Sequence, residues 1–264
     1  VVNSKDVPAG YSLVWNDEFD GRGHPDSSKW GYDTWGNYIG WGNGEKEFYT
    51  NNDLSNAYLS DGKLHIVARE QRNSEVVSGN TYNYDYTSAR LITRDKASWT
   101  YGFIEVRAKI PGGGGTWPAI WALGTDGDWP EAGEIDLMEQ WGTDTACMGT
   151  FHVTDNNGSS GYLWPSDIFN TFHNFQLLWT PTVPATEGAE AIPAKLTIMV
   201  DGEVMNTWTK DLSLTDPAAS YAQWPFDKPE YLLLNLALSG NVPIDTSIFP
   251  RDFQVDYVRV YQKP

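Results

Sequence analysis

Only one cysteine, Cys147, occurs in the 264 residues, so no internal disulfide can form and a disulfide-stapled scaffold is excluded. A single cysteine leaves the compartment open and is compatible with bacterial secretion. Basic residues are scarce as well: 18 Lys and Arg face 35 Asp and Glu, for a formal net charge of −17. Nucleic acid and anionic membrane surfaces would be repelled, which favours neutral partners. No run of 18 apolar residues is present, and the opening VVNSKDVPAG has no basic segment leading into an apolar one. The sequence therefore carries no expected membrane span or signal peptide, and it reads as a mature secreted or cell-surface chain. Long helical periodicity, internal repeats and low-complexity linkers are also missing.

Aromatic residues are in excess, with 13 Trp, 14 Tyr and 10 Phe. A buried indole needs a partner for its N–H, so this many Trp suggests a lined groove in addition to a sandwich core. Strand signals run from end to end. In GFIEVRAKI, Ile104, Val106, Ala108 and Ile110 alternate with Glu105, Arg107 and Lys109, the period of a half-buried strand. In KLTIMVDGEVMNTWT, Asp201 and Gly202 separate two β-branched runs and predict a hairpin. The stretch 180–194, TPTVPATEGAEAIPA, reads as a loop between two strands, too short to divide the chain. Many short strands without βαβ alternation imply one antiparallel β-sandwich domain over residues 1–264, one sheet of which offers a concave face to a ligand.

The stretch GEIDLMEQWG places Glu134, Asp136 and Glu139 among apolar residues. On a regular strand Glu134 and Asp136 share a face and Glu139 points away from it. A bulge at Leu137 and Met138 would return Glu139 to that face. A helix would separate the two glutamates by about 140°. Three carboxylates on one face raise one another's pKa, and two glutamates about 5–5.5 Å apart match the pair of a retaining glycosidase. Asp136 between them would hold their protonation states apart. Acids on a solvated strand face and a metal site are the competing readings, the second weakened by the lack of His at ligand spacing.

GEIDLMEQ resembles the signature of glycoside hydrolase family 16 in its bulged form, with two residues between the Asp and the second Glu. The resemblance extends over nearly the whole chain through LVWNDEFDG, GWGNGEKEFYT, YTSARLITRDKASWTYGFIEVRAKIP, GGTWPAIWALG, LLLNLALSGN and VDYVRVYQ. It implies an all-β jelly-roll sandwich of the concanavalin A-like lectin/glucanase kind, with a concave substrate cleft and retaining endo-hydrolysis. It further implies Glu134 as nucleophile, Glu139 as acid/base and Asp136 as the assisting residue.

Around these acids, Trp117 and Trp121 are four apart, hence on one strand face, and the family places them beside the cleavage point; core packing is the alternative. Asn43 and Glu45 sit in a Gly-rich loop whose family counterpart covers the glycone side, where an Asn can equally be forming a turn. Arg90 would reach into the cleft by the same resemblance, although Ala89 stands where a Gly is more common, and a structural ion pair is the other reading. His152 would lie on the strand next to the acids and bond the acid/base or the substrate, or be satisfied by a neighbour. Asn235 interrupts an apolar strand, and pointing it into a wet cleft would avoid the cost of about 1–3 kcal/mol for a buried unpartnered amide. Catalysis requires no cofactor. A structural Ca²⁺ is implied only by the resemblance, at Glu18, Gly62 and Asp256, partly through backbone oxygen.

Family 16 members cut β-1,3-glucans, mixed-linkage glucans, agars, porphyrans and carrageenans, so the fold does not choose the polymer. GWGNGEKEFYT and GGTWPAIWALG look most like the laminarinases, endo-β-1,3-glucanases acting on laminarin-type β-glucans and their oligosaccharides. The negative charge argues against a sulfated galactan. The alternatives are a mixed-linkage β-1,3-1,4-glucan or agar-type galactan hydrolase and a non-catalytic β-glucan-binding module, of which the last would make the acids dispensable. No oligomer is expected.

Overall fold

The structure, a computed structural model, describes residues 4–264; the first three residues of the VVNSKDVPAG stretch lie outside it. The strands in chain order are β1 (Ser12–Asp17), β2 (Gly31–Asp33), β3 (Glu47–Tyr49), β4 (Ala57–Ser60), β5 (Lys63–Val77), β6 (Asn80–Ser88), β7 (Arg90–Ile92), β8 (Gly102–Lys109) and β9 (Thr116–Gly124). They continue with β10 (Glu134–Glu139), β11 (Cys147–His152), β12 (Ser159–Leu163), β13 (His173–Thr180), β14 (Lys195–Val200), β15 (Glu203–Thr209), β16 (Glu230–Leu238) and β17 (Arg251–Gln262). One α-helix, α1 (Pro217–Gln223), is opened by the Asp216 carboxylate, which accepts from Ala219 N at 2.9 Å, with Pro217 in the first turn. Among the described residues no helix is long and apolar enough to cross a membrane.

The strands form two sheets. One has ten strands in the order β15-β14-β13-β8-β17-β5-β6-β3, with β1 on β17 and β4 on β5. The other has seven, in the order β12-β11-β10-β9-β16-β7-β2. Between them lies one continuous core, to which Ile120, Ile135, Leu137, Leu234 and Leu236 contribute from the seven-stranded sheet and Ile104, Val106, Phe175, Leu177 and Val258 from the other. The expected jelly-roll sandwich is therefore the observed fold. Asp201 (φ 52) and Gly202 (φ 83) make the predicted hairpin turn, with Val200 paired to Glu203, and residues 181–194 connect β13 to β14 as a loop.

One expectation changes. Alternation along β8 predicted an exposed Glu105, yet it is fully buried, accepting from Ser4 Oγ (2.8 Å), Gln176 Nε2 (2.7 Å) and Tyr257 OH (2.6 Å). A two-residue period shows which side chains share a face but not what covers that face. In β16 every residue is buried: Leu232, Leu234, Leu236 and Leu238 enter the core, while Tyr231 and Leu233 pack with Ile92, Trp121 and Leu123 on the other side of the sheet. The cleft face therefore has an apolar floor of its own.

Candidate active site

The acidic strand begins at Gly133, whose φ of +86 suits glycine, and where a Cβ would lie 2.7 Å from Phe226 and 2.9 Å from Pro225. Glu134 then pairs with Leu123 on β9 and His152 on β11, and Asp136 pairs with Trp121 and Thr150. The register shifts next. On β9, Trp121 and Ile120 oppose Asp136 and Met138; on β11, Thr150 and Met148 oppose Asp136 and Glu139. One residue is extra, both Leu137 and Met138 are fully buried in the core, and Glu139 returns to the face of Glu134 and Asp136. All three acids line one cleft with Asn43, Glu45, Arg90, Trp117, Trp121 and Asn235.

No cation sits among the acids in the hydrogen-bond pattern, apart from what His152 can supply. Burial, reinforced by the charge of Glu134, pushes the Glu139 carboxyl up to about 8, against a smaller opposing effect of the Trp117 N–H. Trp117 Nε1 donates to Glu139 Oε1 at 3.1 Å. Asp136 is raised well above the ordinary carboxyl range, first by burial and then by Glu134 and Glu139, with which it shares the face. Burial beside two other carboxylates thus favours the protonated form of Asp136, whose O–H donates to the Glu134 carboxylate. His152 Nε2 lies 3.0 Å from Asp136 Oδ2 and 4.0 Å from Glu134 Oε1, and its Nδ1 lies 2.5 Å from Asn156 Oδ1, so the ring is held at both ends.

Two tryptophans absent from the sequence reading complete this part of the cleft. Trp129, on the loop TDGDWPEAG, donates from Nε1 to Glu134 Oε2 at 2.5 Å and packs beside the His152 ring. Trp141 stacks on Trp117, with ring centroids 5.4 Å apart. The apolar residue preceding a Pro in the first case and the Trp just beyond the acidic strand in the second were the available signals, and neither carries a partner in sequence.

On the other side of the acids the cleft wall is tightly bonded. Trp121 Nε1 donates to Asn235 Oδ1 (2.7 Å), and Asn235 Nδ2 donates to Tyr49 OH (3.1 Å), which in turn donates to Glu45 Oε1 (3.5 Å). Asn235 therefore lines the cleft as expected, but protein groups bond its amide and it is only 3% exposed. Arg90 is also buried. Its guanidinium carbon lies 4.3, 4.9 and 5.3 Å from the ring centres of Trp41, Tyr49 and Trp121, and its nitrogens lie 3.5 Å from Asp33 and 3.8 Å from Glu45. Arg90 therefore joins both expectations, lining the cleft and forming a structural ion pair. Glu45 accepts from Asn43 Nδ2 at 2.8 Å, so the two are a bonded pair and Asn43 is the more exposed of them. Behind them Glu47 is fully buried and raised well above the usual range, by burial and then by Glu45.

The three residues implied for Ca²⁺ lie elsewhere. The Glu18 carboxylate accepts from Arg259 Nε and Nη2 at 2.9 and 2.7 Å and from Asn16, the Asp256 carboxylate lies 3.4 Å from Arg107 Nε, and Gly62 is the second turn residue between β4 and β5. Both carboxylates face guanidinium groups, so their side chains do not fit a calcium ligand set. Among the described residues, the one group of His, Cys or carboxylate side chains with mutually close ligand atoms is Glu134, Asp136 and His152. Its short contact is the hydrogen bond of His152 to a protonated Asp136, a poor donor set for a cation.

The sequence pattern described as Glycosyl hydrolases family 16 matches residues 44–257. The chain is 40% identical over 267 residues to a beta-glucanase of Rhodothermus marinus, covering 96% of this chain and 85% of that protein. It is 38% identical to the X-ray structure of the laminarinase from the same organism, with a TM-score of 0.80 over 96% of this chain and 97% of the other. A mutant of a non-specific endo-beta-1,3(4)-glucanase of family 16, carrying 1,3-beta-D-cellobiosyl-glucose at its active site, superposes with a TM-score of 0.83 at 36% identity over 97% and 96% of the two chains.

Proposed function

The chain belongs to glycoside hydrolase family 16 and hydrolyses β-1,3-glucosidic bonds in laminarin-type β-glucans; from that premise we propose a two-glutamate double displacement in which Glu134 is the nucleophile and Glu139 the acid/base. One observation carries the assignment of roles: on a single bulged strand, Glu139 is held protonated up to about pH 8 while Glu134 receives hydrogen bonds from Asp136 and Trp129. A carboxylate accepting two donors is a fixed nucleophile, and a carboxyl protonated at neutral pH is a general acid.

In the first step the Glu134 carboxylate attacks the anomeric carbon as Glu139 gives its proton to the departing glycosidic oxygen. The bond to the leaving sugar breaks and an ester to Glu134 forms. Esterification removes the Glu134 charge, the second largest cause of the raised Glu139 pKa. Glu139 is then easier to keep ionised, helped by the Trp117 N–H, and can take a proton from water as that water attacks the ester. Asp136 orients Glu134 through its O–H and loosens its hold as the charge on Glu134 dissipates. Trp117 and Trp121 offer the apolar faces against which sugar rings stack, and Asn43 with Glu45 offers polar contacts to glycone hydroxyls.

Mixed-linkage glucan is a second substrate, favoured by the cellobiosyl-glucose held by the similar non-specific glucanase. We place the enzyme outside the cell as a monomer, since its polymer is extracellular in scale. Any structural Ca²⁺ would have to be held by backbone oxygens, given the arginine partners of Glu18 and Asp256.

The test is reducing-sugar release from laminarin, barley mixed-linkage glucan, curdlan and agarose by this protein and its Glu134→Ser variant. Release from laminarin that disappears in the variant is the expected result. Cleavage of agarose in preference to laminarin would overturn the substrate, and retarded migration in laminarin gels without release from any polymer would leave only a binding module.

A further inference from the structure

Apart from His152 on β11, the cleft residues described so far lie on β10, β9, β16 and β7, on β3 and in loops, and the seven-stranded sheet continues past the acids through β11 and β12. Met148 on β11 pairs with Glu139 on one side and with Tyr162 on the other. Residues paired directly across antiparallel strands project from the same face, so Glu139, Met148 and Tyr162 form one row on the cleft face. With strands about 4.8 Å apart, Tyr162 stands roughly 10 Å along the sheet from the acid/base. The next row repeats the pattern: Asp136 pairs with Thr150 and Thr150 with Ser160, whose hydroxyls are 2.9 Å apart.

Tyr162 is 52% exposed, and Trp164, just beyond the end of β12, is 66% exposed. Their ring centres are 6.4 Å apart and the planes are tilted by 31°, two exposed aromatic rings together at the open edge of the sheet. Among the described residues neither side chain has a hydrogen-bond partner that would explain its position, and neither is part of the core. The half-buried Met148 links this pair to the acids with an apolar surface.

We propose that Tyr162 and Trp164 form a stacking platform for the glucosyl units on the leaving-group side of the scissile bond. The proposal rests on the two-glutamate reading and on the Asn43–Glu45 loop covering the glycone side, because the substrate crossing the acids must then leave over β11 and β12. Three observations select a sugar chain as the occupant. The row is continuous with the site, two neighbouring exposed rings stand at its far end, and the adjoining groups of Thr150 and Ser160 are uncharged hydroxyls suited to a neutral polyol. An aromatic plate lost from such a contact lowers affinity by about threefold to tenfold.

The experiment compares the parent with Tyr162→Ala, Trp164→Ala and the double variant on two substrates. One is laminarihexaose, whose cleavage places several sugars on the leaving-group side. The other is an aryl β-laminaribioside, whose aromatic leaving group replaces them. The platform predicts that kcat/KM for the hexaose falls about tenfold or more in the double variant, with a cleavage pattern shifted toward the reducing end, while the aryl glycoside is cut at the parental rate. Equal losses on both substrates would mean a structural defect and would overturn the proposal. So would unchanged hexaose kinetics, or a concentration-dependent dimer of the parent that the variants abolish without altering cleavage. Failure of the parent to cut either substrate would instead overturn the underlying two-glutamate reading, which separates the two failures.

Discussion

Two groups of carboxylates share this cleft, and they are compensated in opposite ways. Glu45 and Glu47, with Asp33, surround the buried guanidinium of Arg90, which is clamped between the faces of Trp41, Tyr49 and Trp121. Glu134, Asp136 and Glu139 have no such arginine; they are compensated by protons and by the N–H groups of Trp117 and Trp129. A fixed cation suits a wall that has only to hold its shape, because the attraction is permanent. It would be harmful beside Glu139, since a nearby positive charge would lower the pKa that lets it act as an acid. The difference separates a wall that fixes shape from a strand that carries out proton transfer.

The largest break in this comparison comes from Glu139→Gln. Laminarin hydrolysis should fall by about 10³-fold or more, measured as kcat/KM, because the proton donor is lost. Stability should move the other way. The Glu139 pKa is raised from its ordinary value to about 8, so the folded state binds this proton more tightly than the unfolded state does. That contribution is complete below about pH 4.5 and is lost as pH rises toward 8, and the Gln variant should escape the loss. Its melting temperature at pH 8 should exceed that of the parent by several degrees, and by less at pH 5. For the parent, the same group predicts an alkaline limb in kcat/KM near pH 8.

Arg90→Ala strikes the other group. It leaves Glu45 and Asp33 without their cation in a buried setting, at a cost of about 3–5 kcal/mol, and a drop in melting temperature on the order of 10 °C. Arg90→Lys keeps the charge and loses the planar stacking, so it should recover only part of that loss. If Arg90→Ala melted like the parent, the wall would not depend on the cation. A smaller effect is expected from Trp117→Phe, which keeps the plate and removes the donor to Glu139. The alkaline limb should move upward, since the N–H favours the charged form, and kcat should fall about tenfold as the second step loses that support. The smallest change is Glu47→Gln. Burial, and then the neighbouring Glu45, raise Glu47 well above the usual carboxyl range and favour its neutral form, and one of its oxygens accepts from Leu238 N at 3.1 Å, which a Gln oxygen can also do. Activity should be within about twofold of the parent, and the decline of melting temperature between pH 5 and pH 8 should be shallower.

The acidic strand was legible in the sequence because its geometry is local. Glu134, Asp136 and Glu139 lie within six residues, and a single extra residue is the only way to align them on a strand. The Trp117 and Trp121 pair was legible for the same reason. Trp129, Trp141 and the stack of Trp41, Tyr49 and Trp121 on Arg90 were not, because each contact joins segments far apart in the chain or through an irregular loop. Asn235 was read as a residue needing water because its two partners, Trp121 and Tyr49, come from strands that only the folded sheet and its Gly-rich loop bring to it. Glu18 and Asp256 show a different limit: the family positions implied ligands partly through backbone oxygen, while the guanidinium groups of Arg259 and Arg107 that face their side chains are visible only in the fold. The sheets followed from alternation, but the burial of Glu105 depended on the N-terminal segment that covers it.

The central claim is that Glu134 forms the covalent bond and Glu139 does not. It is tested most directly by incubating the enzyme with an aryl 2-deoxy-2-fluoro-β-laminaribioside, which slows release of the glycosyl-enzyme, and locating the label by mass spectrometry of the digested protein. The mechanism predicts one fluoroglycosyl group per chain on the peptide containing the acidic strand, at Glu134. A label at Asp136 or Glu139, or hydrolysis of laminarioligosaccharides with inversion at the anomeric carbon and no label at all, would contradict it.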